Sequence, residues 1–411
     1  MTCSWPTVTL DECASFQEGY VNPTQKKEHY FDGPVKWLRA VDLNNGSIRN
    51  TSRTLSEEGF KSAGKSALLF EPGTLAISKS GTIGRIGILE DYMCGNRAVI
   101  NIKVDKDKCD NLYIFYVLLM SRRVIETLAV GSVQKNLYTS ALGSLELRLP
   151  PLQVQAAIAK QLSDLDKKID LNTQTNQTLE EMAQAIFKSW FVDFDPVKAK
   201  MNGKQPEGMD AATASLFPEK LVESELGLIP EGWDAVQVGD IVQRLKPKKR
   251  YTKKQVEPYG KTPVYEQGAS ILLGFHNDDA GFDASPEDPV FIFGDHTCIT
   301  HLSCSKFDIS SNVIPLKGSV RPTIWTYYAI QGKQEFQEYR RHWSEFIIKD
   351  VVLPPVELAE KYAELVTTKY LMMESLKRQS KELEQLRDTL LPKLLSGEIE
   401  LGTSEELVEA I

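Results

Sequence analysis

The sequence predicts a mixed α+β protein: two similar globular units separated by two long helices that pair antiparallel as a coiled coil, with an internal pseudo-two-fold repeat. Three observations predict it. Blocks of the second half echo blocks of the first in the same order. Each half ends in an apolar repeat of period 3.5 that opens on a Pro-Pro pair. Short β-rich runs bounded by turn residues fill the remainder.

The echoes come first along the chain. Trp5-Pro-Thr-Val8-Thr-Leu10-Asp-Glu12 returns 228 positions later as Trp233-Asp-Ala-Val236-Gln-Val238-Gly-Asp240. Leu149-Pro150-Pro151-Leu152 returns 204 positions later as Leu353-Pro354-Pro355-Val356. The second offset persists, matching Leu162 with Val366, Ile169 with Met373, Leu179 with Leu383 and Ile186 with Leu390. Between these marks, Leu75-Ala-Ile-Ser78 and Asn96-Arg-Ala-Val-Ile100 have looser echoes in Phe291-Ile-Phe-Gly294 and Ser311-Asn-Val-Ile314.

The long helices follow from spacing. A proline at the first helical position lacks only an N–H that would be unpaired anyway, so Pro150-Pro151 can open a helix. Behind it, Ile158, Leu162, Leu165, Ile169, Asn172, Asn176, Leu179, Ala183, Ile186 and Trp190 recur in alternating steps of four and three. Asp195-Pro196 is expected to end the run. At ~1.5 Å per residue, a helix over 152–192 is about 60 Å long. Its partner opens at Pro354-Pro355 and carries Tyr362, Val366, Met373, Leu376, Leu383 and Leu390, with a stop between Pro392 and Gly397. Neither seam is uniformly apolar. Asn172 and Asn176 interrupt the first; Lys369, Ser380 and Arg387 interrupt the second. In an antiparallel pair the polar centres face each other and fix register; otherwise they lie on a solvent face.

These signals divide the chain into a first globular unit (1–149), a central spacer helix (150–195), a connector (196–225), a second globular unit (226–352), a distal spacer helix (353–400) and an acidic tail (401–411). Within the units, Thr74–Ser78, Ile83–Ile88, Ala98–Ile102, Val290–Phe293 and Asn312–Leu316 read as strands. Tyr113–Met120 and Thr323–Ile330 read as helix starts. The connector is rich in glycine and proline, as a surface segment would be.

Composition narrows the class. The 411 residues are 42% hydrophobic and 25% charged, which suits a globular chain of two or three domains. No apolar run reaches the ~20 residues of a membrane span, and the first residues lack the basic and apolar regions of a signal peptide. Six scattered cysteines fit a reducing cytoplasm better than a disulfide scaffold. The net charge of −8 alone disfavours a polyanionic partner, yet the acidity is regional. The globular units stand at +2 and −1, whereas 150–225 and 353–411 stand at −4 and −5. Arg244–Lys254 holds seven cations in eleven residues, enough to neutralise several phosphates or to form a solvated loop. Arg122-Arg123 and Arg340-Arg341 are smaller clusters at unequal distances from the Pro-Pro marks, so they are no positional repeat.

Two motifs mislead. Gly59–Ser66 matches G-x4-G-K-S, but a polar stretch precedes it and Glu71-Pro72-Gly73 leaves no room for the following helix. His296, Cys298, His301 and Cys304 could ligate zinc; in an extended strand, however, His301 points away from the other three. No Gly-rich cofactor loop, nucleophile elbow, H-E-x-x-H or Asn/Asp-Pro-Pro-aromatic tetrapeptide occurs. The residues therefore support a non-catalytic chain with no metal of its own.

Several strings carry a resemblance. They are Leu149–Gln153, Phe187-Lys-Ser-Trp-Phe-Val-Asp-Phe-Asp-Pro196, Ser224-Glu-Leu-Gly-Leu-Ile-Pro-Glu-Gly-Trp233, Ser78–Gly84, Phe293–Thr297 and Leu391-Pro-Lys-Leu-Leu-Ser-Gly-Glu398. Together they resemble the specificity subunits of type I restriction–modification systems over essentially the whole chain. The resemblance implies two target recognition domains, each reading half of a split double-stranded DNA sequence, held apart by an antiparallel helical spacer. It also implies two adenine methyltransferase subunits and two motor–nuclease subunits as partners, with S-adenosylmethionine, ATP and Mg2+ on those partners and no cofactor on this chain. A coiled-coil scaffold that reads no DNA is the alternative.

On the DNA-reading view, loops enter the major groove, where each base pair has its own donor and acceptor pattern, while cations hold phosphates. The candidates in the first unit are Ser78, Lys79, Ser80, Gly81, Thr82, Arg97, Arg122, Arg123, Lys135 and Asn136. In the second they are Lys246, Lys248, Lys249, Arg250, Tyr251, Lys253, His296, Thr297, Arg340 and Arg341. A heptad added to the spacer is expected to add about 10 Å, or ~3 base pairs, to the gap.

Overall fold

A computed structural model describes residues 5–131 and 135–399. The chain forms two compact units. The first comprises residues up to Ile169 together with those from Lys381 onward; the second runs from Asp170 to Ser380. Each unit is thus a globular domain with its own stretch of both long helices. The acidic tail expected over 401–411 lies outside the described residues.

In the first unit, a five-stranded sheet has the order Ala14–Glu18, Val99–Val104, Leu75–Ser78, Ile86–Leu89, Gly46–Ile48. A three-stranded sheet joins Thr54–Leu55, Phe31–Leu38 and Met93–Gly95. Leu75–Ser78 is buried at every position, which explains why it reads as a continuous apolar run rather than an alternating one. Its core partners include Tyr113, Ile114 and Leu118 of the helix Asn111–Met120. Asp110 caps that helix, its carboxylate accepting from the Tyr113 N–H at 2.9 Å.

The second unit repeats the plan. Its first sheet has the order Val242–Arg244, Val313–Gly318, Val290–Gly294, Thr300–Ser303; its second, Arg250–Tyr251, Asp308–Ser310, Thr262–Tyr265, Leu272–His276. The helix Thr323–Ile330 covers the first sheet as Asn111–Met120 does in the other unit. Both sequence offsets reappear as register: Thr7 pairs with Arg148, and Ala235 with Val352. The next contact repeats too. Leu10 N–H donates to Leu145 O at 2.9 Å, and Val238 N–H to Lys349 O at 2.8 Å.

The long helices run Leu152–Phe191 and Val356–Ser396. They are antiparallel within each unit. In the first, Ile158 and Leu162 are buried in one core with Leu391 and Leu394, and Leu165, Ile169, Leu383 and Leu390 are half-buried. In the second, Ala183, Phe187 and Trp190 pack with Tyr362, Val366, Tyr370 and Met373; Leu179, Ile186 and Leu376 are half-buried. Asn172 is buried and donates to Gln379 Oε1 at 2.9 Å and Ser380 Oγ at 3.2 Å, so the seam residues Asn172 and Ser380 face each other and not solvent. The second helix passes through Pro392, in its last turn, before Gly397 takes a left-handed φ of 73°.

Two expectations need correction. Asp195-Pro196 does not end the first helix. Phe194, with a φ of 56°, already breaks it, and Pro196 then opens a new helix, Asp195–Met201, where its missing N–H is harmless. Nor is the connector a purely surface segment. Val197 and Phe217 are buried in the second unit's core, with Phe217 edge-on to Trp190 at 5.4 Å. Glycine and proline spacing does not show which apolar residues anchor such a segment.

Candidate nucleic-acid interface

Each domain carries the same bracket at one end of its main sheet. In the first, the strand Leu75–Ser78 runs into the turn Lys79–Thr82, and a loop through Asn136 returns beside it. Leu137 N–H donates to Lys79 O at 2.9 Å, and Lys79 N–H to Ala98 O at 2.8 Å. In the second, Val290–Gly294 runs into Asp295–Cys298. His342 N–H donates to Asp295 O at 2.8 Å, and Asp295 N–H to Asn312 O at 3.0 Å. The backbone is repeated, but the side chains at equivalent points differ: Lys79-Ser80-Gly81 against Asp295-His296-Thr297.

In the first bracket Gly81 and Thr82 are exposed. Gly81 has a φ of 74° with open space where a side chain would stand, so a bulky group can approach its backbone. Ser80 is half-buried and bridges to Asn136. Arg97, Arg123 and Lys135 are exposed. Arg122 pairs with Glu126 at 3.1 Å and its stem lies on Gly84. Two candidates are occupied inside the fold. Ser78 is buried, its hydroxyl donating to Thr82 O at 2.5 Å and accepting from Arg85 N–H at 2.9 Å. Lys79 is largely covered and pairs with Glu18 at 2.6 Å. A strand-to-turn junction needs such groups for itself, which the linear pattern does not reveal.

In the second bracket, His296 N–H donates to Gln267 Oε1 at 3.0 Å. Its ring lies 4.7 Å from that of Tyr339, which is 74% exposed. His296 Nδ1 and Thr297 Oγ1 are both buried without a hydrogen-bond partner. Arg341 extends into solvent, its Nε 3.8 Å from Asp295. Arg340 is instead held by Glu338 at 2.9 Å and by Glu345, so it shapes the loop. Sequence reasoning missed Gln267 and Tyr339. Neither has a distinguishing spacing, and only the fold brings them to His296.

The basic loop divides in the same way. Lys246, Lys248 and Lys253 are exposed. Lys248, Lys261 and Lys306 line one cavity of about 350 Å³ with Asp279 and Asp283. Lys249 pairs with Asp278 at 3.2 Å and lies over the Tyr251 ring at 4.2 Å. Arg250 and Tyr251 are structural rather than free. Arg250 donates to Ser310 O at 2.7 Å and Val313 O at 2.8 Å, which ties strand Arg250–Tyr251 to the sheet. Tyr251 is buried, stacked on His276 at 4.1 Å, and burial pushes its hydroxyl pKa up. His276 in turn meets Asp308 at 3.1 Å.

The two misleading motifs have structural explanations. Gly59 lies in the helix Glu57–Lys61, where a side chain would strike Tyr30 O at 2.1 Å; it is a packing glycine inside a helix and not the first residue of a phosphate loop. The His/Cys segment is a turn at a strand edge rather than one extended strand. It turns at Cys298, whose φ is 58°, and enters a strand at Thr300. His296 then packs on Tyr339 and His301 on Tyr265, and among the described residues no group of three or more His, Cys, Asp or Glu could hold a metal.

Comparison with known proteins fits this geometry. Residues 4–181 match the family model described as the type I restriction modification DNA specificity domain. The MjaIX type I restriction enzyme specificity subunit of Methanocaldococcus jannaschii is 24% identical over 93% of this chain and 90% of its own length. The chain is thus similar to type I restriction–modification specificity subunits over most of its length. A second specificity subunit, HindI of Haemophilus influenzae, is 28% identical over 63% of this chain and 70% of its own length. The crystal structure of a type I restriction–modification S subunit from M. genitalium has the same fold, with a TM-score of 0.54 at 17% identity over 95% of this chain and 96% of that one. The match to a DNA specificity domain does not favour the scaffold alternative. Among the described residues, no helix is long and apolar enough to cross a membrane.

Proposed function

We propose that this chain reads a split double-stranded DNA target for a type I restriction–modification complex, one half-site per globular domain. The repeated bracket carries the reading: one backbone frame, fixed by the same hydrogen bonds, bears different side chains in the two domains. Two domains of one shape with different decoration suit two half-sites of different sequence. In the first domain the reading surface is Ser80, Gly81 and Thr82 with Asn136, and Arg97, Arg123 and Lys135 hold phosphates. In the second it is His296, Thr297, Tyr339 and Arg341, backed by Lys246, Lys248 and Lys253. A base edge that displaces the Tyr339 ring would satisfy the unpaired His296 Nδ1 and Thr297 Oγ1.

The chain performs no chemistry in this role. Two adenine methyltransferase subunits and two motor–nuclease subunits would assemble on it in the cytoplasm, bringing S-adenosylmethionine, ATP and Mg2+. The long helices fix the gap between half-sites. Co-expression with the methyltransferase subunit from the same operon in a methylation-free host tests the reading. Mapped methyl-adenines should fall in one split motif of fixed gap and vanish without this chain. A stable complex that methylates no such motif would overturn it.

A further inference from the structure

Each globular domain is tied to its own stretch of the long helices by a small, partly buried polar network. In the first unit, Tyr116 of the helix Asn111–Met120 donates to Asp166 Oδ2 at 2.6 Å, and Arg387 of the second long helix donates to Asp166 Oδ1 at 2.8 Å. In the second unit, Tyr328 of the helix Thr323–Ile330 donates to Glu180 Oε1 at 2.9 Å, Tyr370 of the second long helix donates to Glu180 Oε2 at 2.8 Å, and the two hydroxyls are 2.7 Å apart. The positions correspond in part. The 204-residue offset carries Asp166 onto Tyr370, and Tyr113-Ile-Phe-Tyr116 aligns with Trp325-Thr-Tyr-Tyr328. The same offset places Arg387 at Ala183, one turn from Glu180. One chemistry is tyrosine–carboxylate–arginine and the other tyrosine–carboxylate–tyrosine, yet each joins a domain helix to both long helices through a carboxylate.

The surroundings make these networks informative. The second lies beside an aromatic cluster in which Phe187 is 5.7 Å from Tyr328 and 5.5 Å from Tyr362. Apolar contact there is enough to hold the domain down, but it is not directional. Hydrogen bonds to a carboxylate fall off steeply with angle and distance, so they select one docking among several similarly packed ones. A polar network in such a place adds little net stability and is better suited to specificity of arrangement. Burial, with the neighbouring carboxylate, pushes the hydroxyl pKa values of Tyr116, Tyr328 and Tyr370 up, so all three remain donors at any physiological pH.

We propose that Tyr116–Asp166–Arg387 and Tyr328–Glu180–Tyr370 are positioning clamps that set the angle at which each recognition domain stands on its own helical stem, and through it the gap the assembled complex accepts between half-sites. This rests on the reading that the domains recognise half-sites. The complex carrying Tyr116→Phe or Tyr328→Phe should methylate the same half-site bases, but sites with a gap one base pair shorter or longer should rise at least tenfold relative to wild type. Tyr362→Phe is the matched control. Its ring packs edge-on to Tyr328 at 6.0 Å and is kept, while the lost buried hydroxyl donates to Ala183 O at 3.1 Å and is no part of a clamp, so the variant should keep one gap. Glu180→Gln gives a near-isosteric second variant, expected to loosen the gap as Tyr328→Phe does. A strictly single gap in the clamp variants would overturn the proposal, as would equal broadening by Tyr362→Phe. A wild-type complex that methylates no split motif would instead count against the DNA-reading role.

Discussion

The side-chain amide of Asn172 donates a 3.2 Å hydrogen bond to the hydroxyl of Ser380, across the two long helices within the second unit. One turn later, Asn176 Oδ1 is buried with no partner. The two seam asparagines should therefore respond oppositely to truncation. Asn172→Ala loses two hydrogen bonds and should cost about 1 kcal/mol. Asn176→Leu removes an unsatisfied carbonyl and adds apolar contact, so it should be neutral or stabilise by about 1 kcal/mol. Denaturant midpoints of the two variants decide it; an Asn172→Ala midpoint at or above that of wild type would show that the Asn172 bonds contribute nothing, and a lowered Asn176→Leu midpoint would contradict the second expectation.

Acid sensitivity should come partly from His301. It packs against Tyr265 at 4.8 Å, and burial, with Lys377 nearby, pushes its pKa down from 6.5 to about 4. Below pH 6.5 the unfolded chain binds a proton at His301 that the folded chain refuses until pH 4. Stability from this residue is complete above pH 6.5 and falls as pH drops toward 4, by about 3 kcal/mol in all. His301→Gln should flatten the stability profile over that interval. A wild-type profile already flat there would contradict the assignment.

The repeat, the helices and their polar centre were legible because they rest on periodicity and on Pro-Pro pairs, which act locally along the chain. The offset pairs even predict register, as Thr7 with Arg148 and Ala235 with Val352 show. The binding residues were less legible. Ser78, Arg250 and Tyr251 have the right chemistry for DNA but satisfy the backbone or pack inside their own domain. Whether a polar side chain is free depends on partners far away in sequence, such as Val313 for Arg250, and spacing carries no information about them. Gln267 and Tyr339 were missed for the converse reason.

The basic loop offers a graded electrostatic test. Lys246 and Lys248 are exposed, whereas Lys249 is already paired with Asp278. Each free lysine that meets a phosphate contributes a slope of about 0.9 in log affinity against log salt. Lys246→Ala and Lys248→Ala should weaken all sequences alike and lower that slope; Lys249→Ala should do less. DNA-binding titrations across a salt series with target and scrambled duplexes separate these cases. Equal effects of all three would mean that the Asp278 pair opens on binding.

Base reading should be separable by half-site. Arg341 and His296 belong to the second domain, and Asn136 to the first. Arg341→Ala and His296→Ala should relax the bases accepted in one half-site by roughly 1–3 kcal/mol per lost contact, leaving the other half-site as it was. Asn136→Ala should do the reverse. Methylation maps of the three complexes show which half-site loses bases. Relaxation of both halves by a single variant would place these residues in folding and not in reading.

The spacer itself can be lengthened. The seams run at a period of 3.5, so a heptad added to both helices at matching levels, near Leu179 and Met373, keeps every knob facing its hole. It adds about 10 Å along the stem and only ~20° of rotation. Three base pairs cover the same distance but turn the duplex by roughly 100°. The accepted gap should therefore grow by up to about 3 base pairs, with activity reduced by the twist mismatch and both half-sites unchanged. Adding four residues instead breaks the seam phase and should abolish methylation at every gap. Long-read methylation maps of both insertions give the answer directly, and an unchanged gap in the heptad variant would remove the helices as the element that measures it.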